Sequence, residues 1–267
     1  MENIKDNNGY LSAMTKTFLD KAWFMSILPD EVTTLIDFGC ADNSFGRYIK
    51  ENYPHLDVVG IDNNPVFVKQ VRDRGETIFT SIDDLRKNYN YNPDTTVLVL
   101  NSVVHEVYSY ANPEAFWGEV KLLNPKYIAF RDMYAKGCGI WNSKMKLQLL
   151  DEIKANPEIN QAYDDFKSFW GDLDDGYTTL HFLYKYFYTA NWGREVQENY
   201  IPYHYREMHT SIRRIGYDIT VERFYGLQFL KDKWRKDFNT VNHPALNTFV
   251  NAVTTHMKLF MVRGEDA

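Results

Sequence analysis

Short apolar runs alternate with amphipathic stretches through the first half of the chain, the pattern of a sheet wound with helices. Leu35, Ile36 and Phe38 form a run that stops at Gly39. A small-residue turn follows, and Phe45 to Tyr53 has helical spacing. Val58 to Ile61 is the next run and ends in an acid, Asp62, so the three segments predict one βαβ unit with a carboxylate at the end of its second strand. Pro65 to Arg74 predicts a helix closed by Gly75, Thr77 to Ser81 a third strand, and Thr96 to Leu100 a fourth. That fourth run is apolar throughout, as expected of a central strand buried on both faces. Pro113 to Leu123 predicts a helix, and Tyr127 to Met133 the fifth strand.

The flanks read differently. From Tyr10 to Leu28 apolar residues recur at spacings of three or four, predicting an amphipathic N-terminal helix that Pro29 ends. From Tyr134 to Tyr205 the alternation is lost and aromatics become frequent, with helices expected near 142–155, 158–170 and 178–188. A helix from Tyr205 to Ile215, a strand from Asp218 to Tyr225 and another from His256 to Arg263 complete the chain.

At 267 residues and 44% hydrophobic content, the chain can bury one sizeable core and carry an insertion. It has 19 Tyr, 17 Phe and 6 Trp, which fits either aromatics in a cleft or simply a Tyr-rich fold. A net charge of −6 argues against a generally basic nucleic-acid surface. Lys231, Lys233, Arg235 and Lys236, interleaved with Phe229 and Trp234, are a local exception, diluted by Asp232 and Asp237; they fit an anionic or single-stranded ligand or a solvated helix face. Two cysteines, Cys40 and Cys138, make neither a disulfide framework nor a zinc cluster, so no metal site is expected and a reducing, cytoplasmic setting is. No signal peptide or membrane-spanning run is read.

The turn after the first strand reads Gly39-Cys40-Ala41-Asp42-Asn43-Ser44. In open sheets ligands sit beyond the carboxyl ends of the strands, and Asp62 there can accept hydrogen bonds from two ribose hydroxyls, so an adenosine is expected. A dinucleotide fingerprint would need glycines where Ala41 and Ser44 stand, and Asp42 would meet phosphate with negative charge. No Gly-Lys-Ser/Thr occurs either, so the cofactor should lack phosphates. At Asp37-Phe-Gly39-Cys-Ala41, Asp62 and the segment from Asn101 to Asp132 the sequence resembles the class I S-adenosylmethionine-dependent methyltransferases. The resemblance covers residues 33–133 well and 205–263 loosely.

The resemblance implies a Rossmann-like, seven-stranded, mostly parallel sheet with an antiparallel last strand and helices on both faces. An aromatic-rich helical insertion follows the fifth strand. It implies a core at 31–133 and 205–267 and an N-terminal helical lid at 1–30 with Tyr10, Lys16 or Lys21 near the methionine carboxylate, the alternative for that helix being packing on the sheet. The insertion at 134–204 departs from the minimal fold, and its place after the fifth strand, over the carboxyl edge of the sheet, is where a substrate-selecting cap belongs. For S-adenosylmethionine it implies contacts from Asp37, Gly39, Cys40, Ala41, Asp62, Asn63, Asn101 and Ser102. Ser81 and Ile82, or Asp83 in a shifted register, would meet the adenine.

Methyl transfer needs mainly proximity and in-line orientation, with a base when the nucleophile carries a proton. His105, Glu106 and Asp132 are the candidates, each with a plain alternative: packing for His105, a helix start for Glu106, an ion pair with Arg131 for Asp132. Asn101-Ser102-Val103-Val104 lacks the prolines of exocyclic amine methylases, and neither cysteine follows a proline as a cytosine C5 nucleophile would, so duplex DNA base methylation is not expected. What remains is O- or N-methylation of a small molecule, an RNA or a protein side chain. A competing reading is a catalytically degenerate methyltransferase fold serving as a regulatory or protein-interaction module. A third keeps the adenosine site for aminopropyl transfer or sulfonium cleavage.

Overall fold

Seven strands form one sheet in the order β3-β2-β1-β4-β5-β7-β6. The structure, a computed structural model, describes residues 17–188, 191–202 and 204–265. In chain order its elements are β1 (Thr34–Phe38), α1 (Ser44–Asn52), β2 (Asp57–Ile61), α2 (Pro65–Asp73), β3 (Ile78–Phe79), α3 (Ile82–Asn88), β4 (Thr96–Asn101), α4 (Val104–Tyr110), α5 (Pro113–Leu123) and β5 (Tyr127–Lys136). Then come α6 (Ser143–Ala155), α7 (Pro157–Trp170), α8 (Gly176–Lys185), α9 (Tyr205–Arg214), β6 (Tyr217–Tyr225), α10 (Gln228–Asp237), α11 (Pro244–Ala252) and β7 (Thr254–Arg263).

The first five strands pair in parallel, with β1 between β2 and β4. The last two run against each other, since Gly264 N donates to Gly216 O and Thr220 Oγ1 to Phe260 O; Arg263 N donates to Lys126 O, which sets β7 against β5. Successive side chains of a strand face opposite ways. Leu35 of β1 accordingly packs in a core with Phe45 and Ile49 of α1, while the Phe38 ring lies 5.2 Å from that of Phe116 in α5. Helices thus cover both faces, as expected of a Rossmann-like sheet.

Contacts divide the chain into two compact units, whose boundaries fall within β5, β6 and β7. The sheet unit comprises, among the described residues, 17–132, 204–223 and 258–265. The helical unit comprises 133–188, 191–202 and 224–257, so the connection between β6 and β7 belongs to the same unit as the insertion.

Within the described part of the expected Tyr10–Leu28 helix, Phe18–Lys21 is α-helical, Trp23–Ser26 is 3₁₀, and they meet at Ala22, whose N–H bonds Phe18 O. Tightening the last turn buries Phe24 completely. Tyr10 and Lys16 lie outside the described residues.

The helical unit builds its own core from the aromatics of the insertion and of α10 and α11. Phe166 packs edge-on against Phe182 and His181, and Trp234, fully buried, donates from Nε1 to Leu183 O at 2.8 Å. Phe169 and Tyr177 remain exposed. The basic stretch around Trp234 is internally engaged: Lys231 is buried and donates to Asn251 O, Lys233 pairs with Asp237, and Arg235 bonds Asp232 and Asn251. That is the pattern of a structured helix face rather than an unpaired anion-binding stripe. Among the described residues, no helix is long and apolar enough to cross a membrane.

Candidate functional site

The turn after β1 is held in shape by backbone conformations that few residues adopt. Gly39, Ala41 and Asn43 have φ of 75°, 49° and 59°. At Gly39 a side chain is excluded on two counts, because the left-handed φ strains any Cβ and that Cβ would lie 2.5 Å from Val103 Cγ2. At Gly60 in β2 a Cβ would lie 2.6 Å from Cys40 Sγ, so this glycine makes room for the turn. Gly39 N and Cys40 N both donate to Ile61 O, tying the turn to the end of β2. Burial pushes the Cys40 thiol far up, with Asp37 and Asp62 adding to it, so it is a small inert filler.

Asp62 completes that tie. Its Oδ2 accepts from Ala41 N and its Oδ1 from Asn64 N, both at 2.8 Å. A carboxylate has about four lone-pair sites, so each oxygen keeps a direction for one further donor, such as a hydroxyl of a vicinal diol. Burial raises the Asp62 carboxyl above its ordinary value, opposed by the two amides. Asn63 beside it is exposed. On the far side of the turn Arg47 bonds Asp42 through its carboxylate and backbone carbonyl, and Asn43 donates to Glu76.

Beyond β3, Ser81 caps α3 by accepting from Asp84 N at 3.0 Å; Ile82 is buried, and Asp83 is exposed and pairs with Lys87 at 2.6 Å. Asp84, which sequence reasoning passed over, accepts from Thr80 N and Oγ1 and fixes the end of β3.

Asn101 ends β4 at 8% exposure, and among the described residues neither its amide nitrogen nor its amide oxygen has a hydrogen-bond partner. Buried polar groups are ordinarily satisfied, so an orphaned amide asks for a ligand. Ser102 is left-handed at φ 55°; its N–H donates to Arg131 O, and its Oγ accepts from Arg131 at 2.7 Å. Arg131 Nε also donates to Asp20 Oδ2 at 2.7 Å, and Lys258 Nζ donates to Asp20 Oδ1 at 2.5 Å.

Asp132 serves a different partner. Its Oδ1 lies 2.7 Å from His105 Nδ1 and its Oδ2 accepts from His105 N at 3.0 Å, with both residues buried. A carboxylate only accepts, so Nδ1 carries the proton and Nε2 of the neutral ring is left as the basic nitrogen, an assignment made from geometry. Glu106 is half-buried in the same first turn of α4.

Two further charges stand in this unit. Asp37 is 3% exposed, and burial, helped by Asp62 and opposed by Lys21, raises its carboxyl to about 7. Lys21 is 5% exposed and is lowered to about 8, first by burial and then by Arg131, with Asp37, Asp132 and Asp20 opposing. Neither side chain makes a hydrogen bond among the described residues.

No protein-family model matches the chain, and no curated protein matches it. Its structure is similar to that of the cyclopropane synthase MmaA2 from Mycobacterium tuberculosis, with 10% identity, coverage of 92% of this chain and 83% of that one, and a TM-score of 0.50. It is similar also to the mycolic acid cyclopropane synthase CmaA1, solved in complex with SAH and CTAB, with 11% identity, coverage of 98% and 90%, and a TM-score of 0.50. At such identities the likeness is one of fold. The chain has the class I methyltransferase fold.

Proposed function

We propose that the chain is an S-adenosylmethionine-dependent methyltransferase acting on an oxygen or nitrogen nucleophile of a small-molecule, RNA or protein acceptor. The observation that carries this is Asp62, which grips the left-handed turn through Ala41 N and keeps lone pairs for a ribose. The orphaned amide of Asn101 supports it. When bound, the cofactor supplies a methyl on a sulfonium, a group that needs no further activation by the protein. Asp37 and Asn101 would hold its amino-acid end and Asp62 its ribose. Ser81, Ile82, Asp83 and Asn63 belong to the loops that would border the adenine, with Ile82 contributing through its backbone.

His105 is assigned as the base that takes the acceptor's proton on Nε2, while Asp132 positions the ring and stabilises the imidazolium that forms. Acceptor selection is assigned to residues 134–204, where Phe169 and Tyr177 offer exposed rings.

The test is calorimetric titration with S-adenosylmethionine and S-adenosylhomocysteine. Binding of both in the micromolar range is expected, and His105→Ala should leave the affinity for S-adenosylhomocysteine within about threefold, less than 1 kcal/mol. Binding of neither by the wild type would leave the fold as the only likeness to a methyltransferase.

A further inference from the structure

Ala41 and Asn43 are left-handed without being glycines, and such conformations persist only where the surroundings over-determine them. Ala41 is held by Asp62. Asn43, at φ 59° and 4% exposure, is held on the far side of the turn by Glu76, whose Oε2 accepts from Asn43 Nδ2 at 2.7 Å. Glu76 Oε1 accepts from Arg74 Nε at 2.5 Å and from Arg47 Nη1 at 3.4 Å. Both guanidinium groups go on to the turn, donating to Asp42 O at 2.8 Å from Arg47 and at 2.5 Å from Arg74. Each of these bonds therefore leads to residue 42 or 43. Burial acts to raise the Glu76 carboxyl, but the bonds from Arg74 and Asn43 and the charges of Arg74 and Arg47 bring it below its ordinary value, so it is ionised at neutral pH.

Glu76 reaches this place because α2 ends just before it. Gly75 N donates to Arg72 O and Glu76 N to Val71 O, closing the helix, while Asp62 lies just ahead of its first turn. A helix has a fixed rise per residue. The acids beyond its two ends are thus set at a fixed separation and grip one turn, Asp62 by Ala41 N and Glu76 by Asn43 Nδ2. An exposed ion pair contributes little by itself. Glu76, with its side chain 20% exposed, differs in also bonding the amide of a buried residue.

We infer that Glu76 is a positioning residue of the cofactor site, acting through Asn43, Arg47 and Arg74 to hold the turn in the shape that Asp62 holds from the other side. This rests on the adenosine reading proposed above and extends that site to a residue outside the turn and the strand ends.

The experiment measures the wild type, Glu76→Ala and Glu76→Gln in two ways. Hydrogen–deuterium exchange of the free protein reads the turn without any ligand: in Glu76→Ala the Asn43 and Ser44 amides, which bond Cys40 O and Asp42 Oδ1, should exchange at least fivefold faster, with β4 unchanged. Calorimetry should show a loss of at least fivefold in affinity for S-adenosylhomocysteine, about 1 kcal/mol. Glutamine keeps an oxygen that can accept from Asn43, so Glu76→Gln should lose between twofold and fivefold. A role of negative charge alone would make the two variants equal. That equality, or an alanine variant within twofold of the wild type, would overturn the positioning role and leave the adenosine site standing. If the alanine variant does not fold, glutamine decides, and an affinity within twofold of the wild type overturns the role. Absence of binding by the wild type would instead overturn the adenosine site, and this inference with it.

Discussion

Asp62→Ala is expected to lower the affinity for S-adenosylhomocysteine by at least tenfold, about 1.4 kcal/mol. Two losses combine. The ligand would lose hydrogen bonds from its hydroxyls to a charged acceptor, each contributing about 1.5–3 kcal/mol. The turn would lose the two 2.8 Å bonds that Asp62 accepts from Ala41 N and Asn64 N. With the first of these gone, Ala41, at φ 49°, has less to hold it in the left-handed region, and the turn loses part of what fixes its shape. Asp62→Asn is not a silent replacement. An amide presents one acceptor oxygen, so whichever backbone N–H it serves, its own NH₂ is turned toward the other. Asparagine should therefore bind more weakly than the wild type and more strongly than alanine. Calorimetry gives the affinities, and thermal unfolding shows how much of the change is loss of the turn itself. An alanine variant that binds within about twofold of the wild type would mean that ribose recognition lies elsewhere, since about 0.4 kcal/mol is less than one such bond contributes.

β2 and β4 were legible because each carries a continuous apolar run bounded by polar residues. Thr96 to Leu100 was expected at the centre and is indeed fully enclosed, with Val97, Leu98, Val99 and Leu100 all at 0% exposure. The insertion helices were legible from spacing alone, since α6, α7 and α8 fall within a few residues of the expected spans. Other features were present but outweighed. Ser81 with Asp83 and Asp84 in the first turn and Arg86 and Lys87 in the last is a helix signature, and it marks α3, which the search for an adenine-binding loop passed over. The end of the helix expected to reach Leu28 is 3₁₀ after Ala22, a difference hidden in the sequence because a 3₁₀ turn and an α turn place apolar residues at nearly the same spacing. What no local pattern carries is pairing at a distance. Asp20 meets partners 111 and 238 residues away. The division of labour on β5, where Arg131 turns to Asp20 and Asp132 to His105, follows from strand alternation once a sheet exists, although adjacent opposite charges suggest a local pair.

In the helical unit, Lys185→Met is expected to be among the most destabilising single changes. Lys185 ends α8 at 0% exposure, and its Nζ donates to Glu195 O at 2.6 Å, to Val196 O at 3.4 Å and to Glu198 O. These carbonyls follow the short helix Trp192–Glu195 and are the kind a helix end leaves without an internal partner. The Trp170 and Tyr200 rings lie 5.2 and 4.9 Å from the ammonium, which closes the site to water and adds cation–π attraction. Methionine fills a similar volume but donates nothing, so the carbonyls of Glu195 and Glu198 lose this donor at about 1–3 kcal/mol each, whereas Val196 O keeps the indole N–H of Trp170. A total near 3–5 kcal/mol is expected, and at about 2–4 °C per kcal/mol the thermal midpoint should fall by roughly 10 °C. The loss should also depend on pH with a definite sign. Burial lowers Lys185 to about 7, with Glu198 and Glu195 opposing, whereas in the unfolded chain a lysine titrates near ~10.4. Between those values the unfolded state binds more protons than the folded one, so the stability of the wild type rises with pH through that window. Methionine has no proton to exchange, and the gap between wild type and variant should widen from about pH 7 towards pH 10. Lys233→Met, which removes a partly exposed pair with Asp237, should cost within about 1 kcal/mol. Thermal midpoints of the three proteins at both pH values decide the matter. A Lys185→Met midpoint within about 2 °C of the wild type would mean that the carbonyls find other donors and that the lysine does not hold the segment closed.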